Sequence, residues 1–424
     1  MLQTLKNAWV IKEIRNKILF TVMILLIFRV GSVIPVPFVD IAALKAGGST
    51  NDFFSYLSIL TGGGLEYGAI FALSVTPYIN SSIIVQLLTV VFTKLQEWSK
   101  EGEEGQKKLA QLTRWVTVGL ALIQGIAFYI YLKNSNFLTV NGTGAYWFAG
   151  AVIVLTLTAG STLVMWLGER IDEKGVGNGI SMILFAGILS RGPQAFASLY
   201  INAVEYKRWL PVVGIVLVFL VIVMFVVWMT HAERRIPIQY AKRVVGNKMY
   251  GGQNTHIPIK VNMSGVMPII FASSILMLPT MILSFMKDTT STMHKVLSLF
   301  SVQGTFYAIV YFLLIIGFAY FYATIQFNPV EMANNLRKNG GAVPGIRPGQ
   351  PTSDFISKIL SRITLLGALF LSVIAILPII IGNVGSINIS VGGTSLLIMV
   401  GVALDTVRSL ESQMMMRHYK GFLD

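Results

Sequence analysis

Residues 209–229 read WLPVVGIVLVFLVIVMFVVWM, a run without one charged side chain. An α-helix rises about 1.5 Å per residue, so a run of this length covers the roughly 30 Å hydrocarbon core of a bilayer. Nine further windows have similar length and character: 18–34, 69–91, 112–131, 147–167, 179–196, 265–285, 305–325, 360–381 and 394–410. In lipid every backbone N–H and C=O must be satisfied within the structure, so windows this long are read as helices. The chain is therefore expected to be an all-α polytopic membrane protein. Hydrophobic residues make up 54% of it and charged residues only 12%, where a soluble domain carries about a quarter.

Charge sets the orientation. The N-terminal stretch, the even-numbered connections and the tail hold 22 of the 33 Lys and Arg residues, and the odd-numbered connections hold 6. Cytoplasmic loops accumulate Lys and Arg, so both termini are expected in the cytoplasm. The excess of basic residues is thereby explained by topology, without a nucleic-acid partner. The opening MLQTLKNAWVIKEIRNK lacks a small-residue cleavage site and is read as a retained amphipathic helix, 1–17. The two longest cytoplasmic loops are 231–264 and 326–357. With no cysteine in the chain, disulfides and thiolate metal sites are excluded.

A repeat runs through the windows. The second reads TPYINSSIIVQLL and the seventh MPIIFASSILMLP; the fifth reads ISMILFAG and the tenth TSLLIMVG. Each pair lies five spans apart. Five is odd, so the second copy crosses in the opposite sense, which makes an inverted repeat. The expected units are a first five-helix half, 18–200, a second half, 201–410, and a tail, 411–424. Ser81, Ser82, Ser273 and Ser274 lie on the matched helices, where small residues also serve close packing.

Enzyme and coupled-transport chemistry find little support. An ion-coupled carrier keeps a carboxylate or charge pair near the midplane, and no window has a central one. Arg114, Arg191, Arg362, Asp405 and Arg408 fall toward span ends; Arg29 lies deeper and is a candidate for a structural ion pair. His231, His256, His294 and His418 show no metal-ligand spacing, and the cluster GGGLEYG at 62–68 lacks the Gly-Lys-Ser/Thr ending of a phosphate loop. No catalytic residue, metal or cofactor is expected.

Two segments fit no span. STNDFFSYLSILTGGGLEYG, 49–68, holds a compact apolar run too short to cross; it reads as an interfacial loop helix or as a stopper folded back between the halves. KNGGAVPGIRPGQPT, 338–352, is rich in Gly and Pro and holds Arg347 in a stiff turn.

Taken in order, FALSVTPYINSSIIVQLLTVV, EEGQKKLAQLTR, GNGISMILFAGI, YAKRVVG, THIPIKVNMSGVMPIIFASSI, FNPVEMANNLRKNGGAVPGIRPG and GGTSLLIMV resemble the SecY family, the channel subunits of the bacterial Sec protein-translocation machinery. The likeness covers essentially the whole chain. It implies ten transmembrane helices in two inverted five-helix halves around a central hourglass pore. By that resemblance Val75, Ile79, Leu184, Ile188, Ile270 and Ile398 form an aliphatic ring at the waist. Phe53, Phe54, Tyr56, Leu57, Ile59 and Leu60 belong to a plug within 49–68. Asn80, Gln86, Gln124, Ser273 and Ser274 are polar residues along a lateral gate, where they would hydrogen-bond the seam shut. Arg347, with Arg234, Arg235, Lys242 and Arg243 on the other loop, would bind the SecA ATPase or the ribosome. The implied function is passage of unfolded secretory polypeptides across the bacterial plasma membrane, with lateral release of signal sequences and transmembrane segments into lipid. Implied partners are SecE, SecG, SecA, the ribosome, signal peptides, nascent chains and membrane lipid. A coupled solute transporter and a purely structural platform are the competing classes; the first lacks a midplane carboxylate, and the second leaves the repeat without a role.

Overall fold

A computed structural model describes residues 9–47, 62–140, 142–204, 209–240, 243–245, 248–250, 254–263, 265–285, 292–301, 304–385 and 393–420. The first half is built from α1 (Lys12–Gly31), α2 (Ile41–Gly47), α3 (Thr76–Val91), α4 (Thr93–Lys100), α5 (Glu103–Asn134), α6 (Thr143–Lys174), α7 (Gly179–Leu189) and α8 (Gly192–Val204). The second contains α9 (Trp209–His231), α10 (Met267–Phe285), α11 (Thr292–Ser298), α12 (Thr305–Gln326), α13 (Pro329–Lys338), α14 (Gln350–Gly385) and α15 (Gly393–Lys420). Between α9 and α10 run β1 (Glu233–Tyr240), β2 (Arg243–Val245), β3 (Lys248–Tyr250) and β4 (Asn254–Lys260); β5 (Gly341–Ala342) follows α13.

Each apolar window lies largely on a helix. Among the described residues six helices are long and apolar enough to cross a membrane, and α3 with α4, bent by 103°, adds a seventh if counted together. The windows on α1, α10 and α15 are helical but fall outside that set, so ten spans remain consistent with the fold. The chain is a multi-pass membrane protein. α9 buries only 18% of its most apolar stretch and α14 buries 56%, which puts α9 on the outside, toward lipid, and α14 inside.

Packing repeats between the halves. In the first, α3 packs on α5, α5 on α6, α6 on α7, and α1 on both α6 and α7. In the second, α10 packs on α12, α12 on α14, α14 on α15, and α9 on both α14 and α15. Position for position these are the same neighbours. The halves meet chiefly through α7 and α15, with thinner contacts of α10 on α3 and α5. Two of these crossings, α7 with α15 and α3 with α10, join equivalent helices, as a two-fold relation requires.

Three details depart from the sequence reading. The second window becomes helical only at Thr76; residues 62–75 form successive turns, because Pro77 sits in the first helical turn, where its missing N–H costs nothing. The fifth window breaks at Ser190–Arg191, between α7 and α8. The amphipathic N-terminal stretch is continuous with the first span from Lys12 onward, and residues 1–8 lie outside the described set.

The strands were not anticipated. β1 pairs antiparallel with β4 from Glu233↔Lys260 to Gln239↔Asn254, and with β5 at Gln239↔Ala342 and Tyr240↔Gly341. Pro237 and Pro258 argue against central strands in a sequence. Here β4 is an edge strand, and β5 is too short to reach the level of Pro237, so β1 is itself an edge there. Ile236, Ile238 and Ile259 enter a buried cluster with Leu336, Val343, Ile356, Leu360 and Ile363. The two long connections, 231–264 and 326–357, thus contribute to one folded unit.

A candidate constriction between the halves

Four helices bring the six aliphatic positions together. Val75 is the N-cap of α3 rather than an interior residue, yet the Ile79 N–H donates to the Val75 carbonyl at 3.0 Å, so the pair keeps its i, i+4 relation. α7 starts where the Asn178 side chain accepts from the Ser181 N–H (2.9 Å) and Asp172 Oδ1 accepts from the Gly179 N–H (2.7 Å). These caps satisfy donors that a helix start leaves open, and they set the register that buries Leu184 and Ile188. Ile270 lies in the first turn of α10, its N–H on the Val266 carbonyl at 3.2 Å. Ile398 lies in the second turn of α15.

All six belong to one apolar cluster with Ile24 and Phe28 of α1, Phe71, Val164, Leu167, Ile171, Ile183 and Val402. Val75, Leu184, Ile188 and Ile398 are buried; Ile79 and Ile270 are half-buried. It unites side chains from both halves. Such a collar excludes water and ions without binding any particular chemistry, and its side chains can part around a flexible chain.

The seam between α10 and the α3–α5 pair is held differently from expectation. Ser273 Oγ donates to the Ile270 carbonyl of its own helix at 2.9 Å. Gln86, Gln124 and Ser274 are half-buried, and Asn80 Oδ1 is enclosed with no hydrogen-bond partner. Among the described residues none of the five hydrogen-bonds across the seam. Ser81 bonds to the Thr113 carbonyl of α5 at 2.6 Å, tying α3 into its own half. Arg29, a candidate for a structural ion pair, donates its guanidinium to the Gly62 carbonyl at 2.9 Å and meets no carboxylate among the described residues.

Phe53, Phe54, Tyr56, Leu57, Ile59 and Leu60 lie outside the described residues, as does Lys242. Residues 62–68, which end that segment, form tight turns against α7.

The Gly/Pro arm is pinned at its base. Val343 is buried, Ile346 packs against the cluster beneath the sheet, and Thr352 Oγ1 donates to the Arg347 carbonyl at 2.9 Å. Gly345 and Gly349 take φ of 81° and 104°, which side chains disfavour. These turns leave Arg347 exposed and without an ion pair among the described residues. Arg234 and Arg235 are exposed on β1, Arg235 bridging Glu233 at 2.7 Å, and Arg243 lies on β2 opposite Tyr250. No group of three or more His, Asp or Glu placed to hold a metal occurs among the described residues.

The SecY family model matches residues 69–407. A Bacillus licheniformis protein translocase subunit SecY is 44% identical, the alignment covering 100% of both chains. A solved protein-conducting channel superposes with a TM-score of 0.61 at 14% identity, over 94% of this chain and 92% of that one. The yeast Ssh1 complex, solved on the yeast 80S ribosome, gives 0.63 at 17% identity, over 92% and 88%.

Proposed function

The chain belongs to the SecY family, and from that membership we propose that the aliphatic cluster is the closed waist of a protein-conducting channel. The observation behind this reading is the convergence of Val75, Ile79, Leu184, Ile188, Ile270 and Ile398 from four helices of both halves into one cluster. Lipid-facing isoleucines would scatter over the perimeter. Unfolded secretory chains pass through the waist. Signal sequences and transmembrane segments leave sideways, where α10 meets α3 and α5 most thinly. The segment containing Phe53 to Leu60 serves as the plug. Energy comes from outside, from a SecA-type ATPase or the translating ribosome; a ribosomal partner is in keeping with the yeast Ssh1 complex, which is solved bound to the 80S ribosome. SecE and SecG complete the complex in the bacterial plasma membrane, with both termini cytoplasmic, and the chain itself is no enzyme.

Photo-crosslinkers placed at Ile79, Ile188 and Ile398 are expected to capture a polypeptide stalled in transit. The same probe at Leu155, exposed on α6, is expected to capture lipid alone. Equal labelling at all four positions would remove the waist from the path.

Arg347 offers a carboxylate or phosphate five donors and a permanent charge, on an arm that keeps it clear of other side chains. Arg347→Glu is expected to cut motor-driven translocation into proteoliposomes at least about tenfold, the equivalent of ~1.4 kcal/mol. Resting ion conductance should stay unchanged. A rise in resting conductance together with that loss would mean that the arm supports the fold rather than the partner.

A further inference from the structure

The last turn of α7, which carries Ile188, is gripped from outside by residues 62–66. Gly62 (φ +66°) lies so close that an added Cβ would stand 2.6 Å from the Gly187 carbonyl oxygen and 2.7 Å from Ser190 Oγ. Its own carbonyl accepts from Arg29 Nη1 at 2.9 Å. Ser190 Oγ, 3.4 Å from that carbonyl, is nearer the Gly187 oxygen at 2.7 Å, where its single proton is better used. Arg191 forms a salt bridge with Glu66, the arginine side chain 15% exposed and the carboxylate side chain 44%. Neither the family motifs nor the waist accounts for Arg29, Glu66 and Arg191.

We infer that Arg29, Glu66 and Arg191 are positioning residues for the constriction. They clamp the 62–66 turn onto the outer end of α7 and so hold Leu184 and Ile188 in the ring. The Arg29 bond ties the clamp to α1, whose Ile24 and Phe28 line the same cluster. The clamp sits beside the two-residue turn at Ser190–Arg191, where the chain passes from α7 into α8. This inference rests on the channel reading.

The test is resting ion conductance of the reconstituted full chain in planar bilayers. Glu66→Arg and Arg191→Glu, made singly, are expected to raise it severalfold, and the double exchange to return it toward the native value. Rescue by exchange separates positioning from general damage, and melting in detergent checks the fold. Arg29→Gln, which leaves the salt bridge in place, is expected to act in the same direction and serves if a charge reversal does not accumulate. Singles that stay at the native value while Ile79→Asn with Ile188→Asn conducts would overturn the clamp. So would a double exchange as leaky as the singles. If the ring variant is silent too, the channel reading fails and takes the clamp with it.

Discussion

Replacing Ile79 and Ile188 together by asparagine is expected to turn a silent resting protein into an ion-conducting one. Each isoleucine withheld from water is worth about 1.5–3 kcal/mol. Exchanging two of them lowers the cost of wetting the waist by roughly 3 kcal/mol at the least. Every ~1.4 kcal/mol is tenfold in an equilibrium, so the wetted fraction should rise roughly a hundredfold, read as single-channel current at fixed voltage. The two residues sit on α3 and α7 in the same apolar cluster, so their effects should exceed additivity. Ile79→Val with Ile188→Val, which keeps the collar apolar, should remain silent. An asparagine pair as silent as the native protein would remove the waist as the seal, and the channel reading with it.

Gly160→Leu is expected to prevent stable assembly of the first half. A Cβ at Gly160 of α6 would stand 2.2 Å from the Ile70 carbonyl oxygen, a backbone atom in the turns that lead into α3. Backbone cannot swing aside as a side-chain tip can. Overpacking costs about 1–3 kcal/mol when neighbours can shift, and the cost should exceed that range here. Gly119 of α5 is the control, since nothing lies within 4 Å of an added Cβ there. The same exchange at Gly119 adds equal hydrophobicity and should gain up to about 1 kcal/mol of helix propensity. Thermal loss of monodisperse protein in detergent should separate the two. Equal tolerance would mean that α6 and the Ile70 turn do not meet as closely as described.

Much of this was legible in the chain itself. Uncharged length forces helices in lipid, and the paired motifs of the second and seventh windows, and of the fifth and tenth, foretold which helices would occupy equivalent places. The six aliphatic positions were reached through resemblance, since an isoleucine in an apolar helix carries no mark of facing inward. The sheet of β4, β1 and β5 escaped because Pro237 and Pro258 count against strands, although Ile236, Ile238, Ile257 and Ile259 keep the two-residue alternation of a buried face. The clamp escaped for another reason. Arg29 meets a main-chain carbonyl, and a carbonyl acceptor has no signature in residue type. The cross-seam hydrogen bond expected of Ser273 gave way to a competitor one turn away, the helix's own Ile270 carbonyl.

The joining of the two long connections through one sheet has a mechanical side. β1 follows α9 almost directly, β4 leads into α10, and β5 connects α13 to the arm that precedes α14. The hydrogen bonds from β5 to β1 and from β1 to β4 couple these elements as rungs couple rails. A load on the Arg347 arm would therefore be shared among α9, α10 and α14 rather than borne by one of them. Of these, α10 is the one that contacts α3 and α5 of the other half.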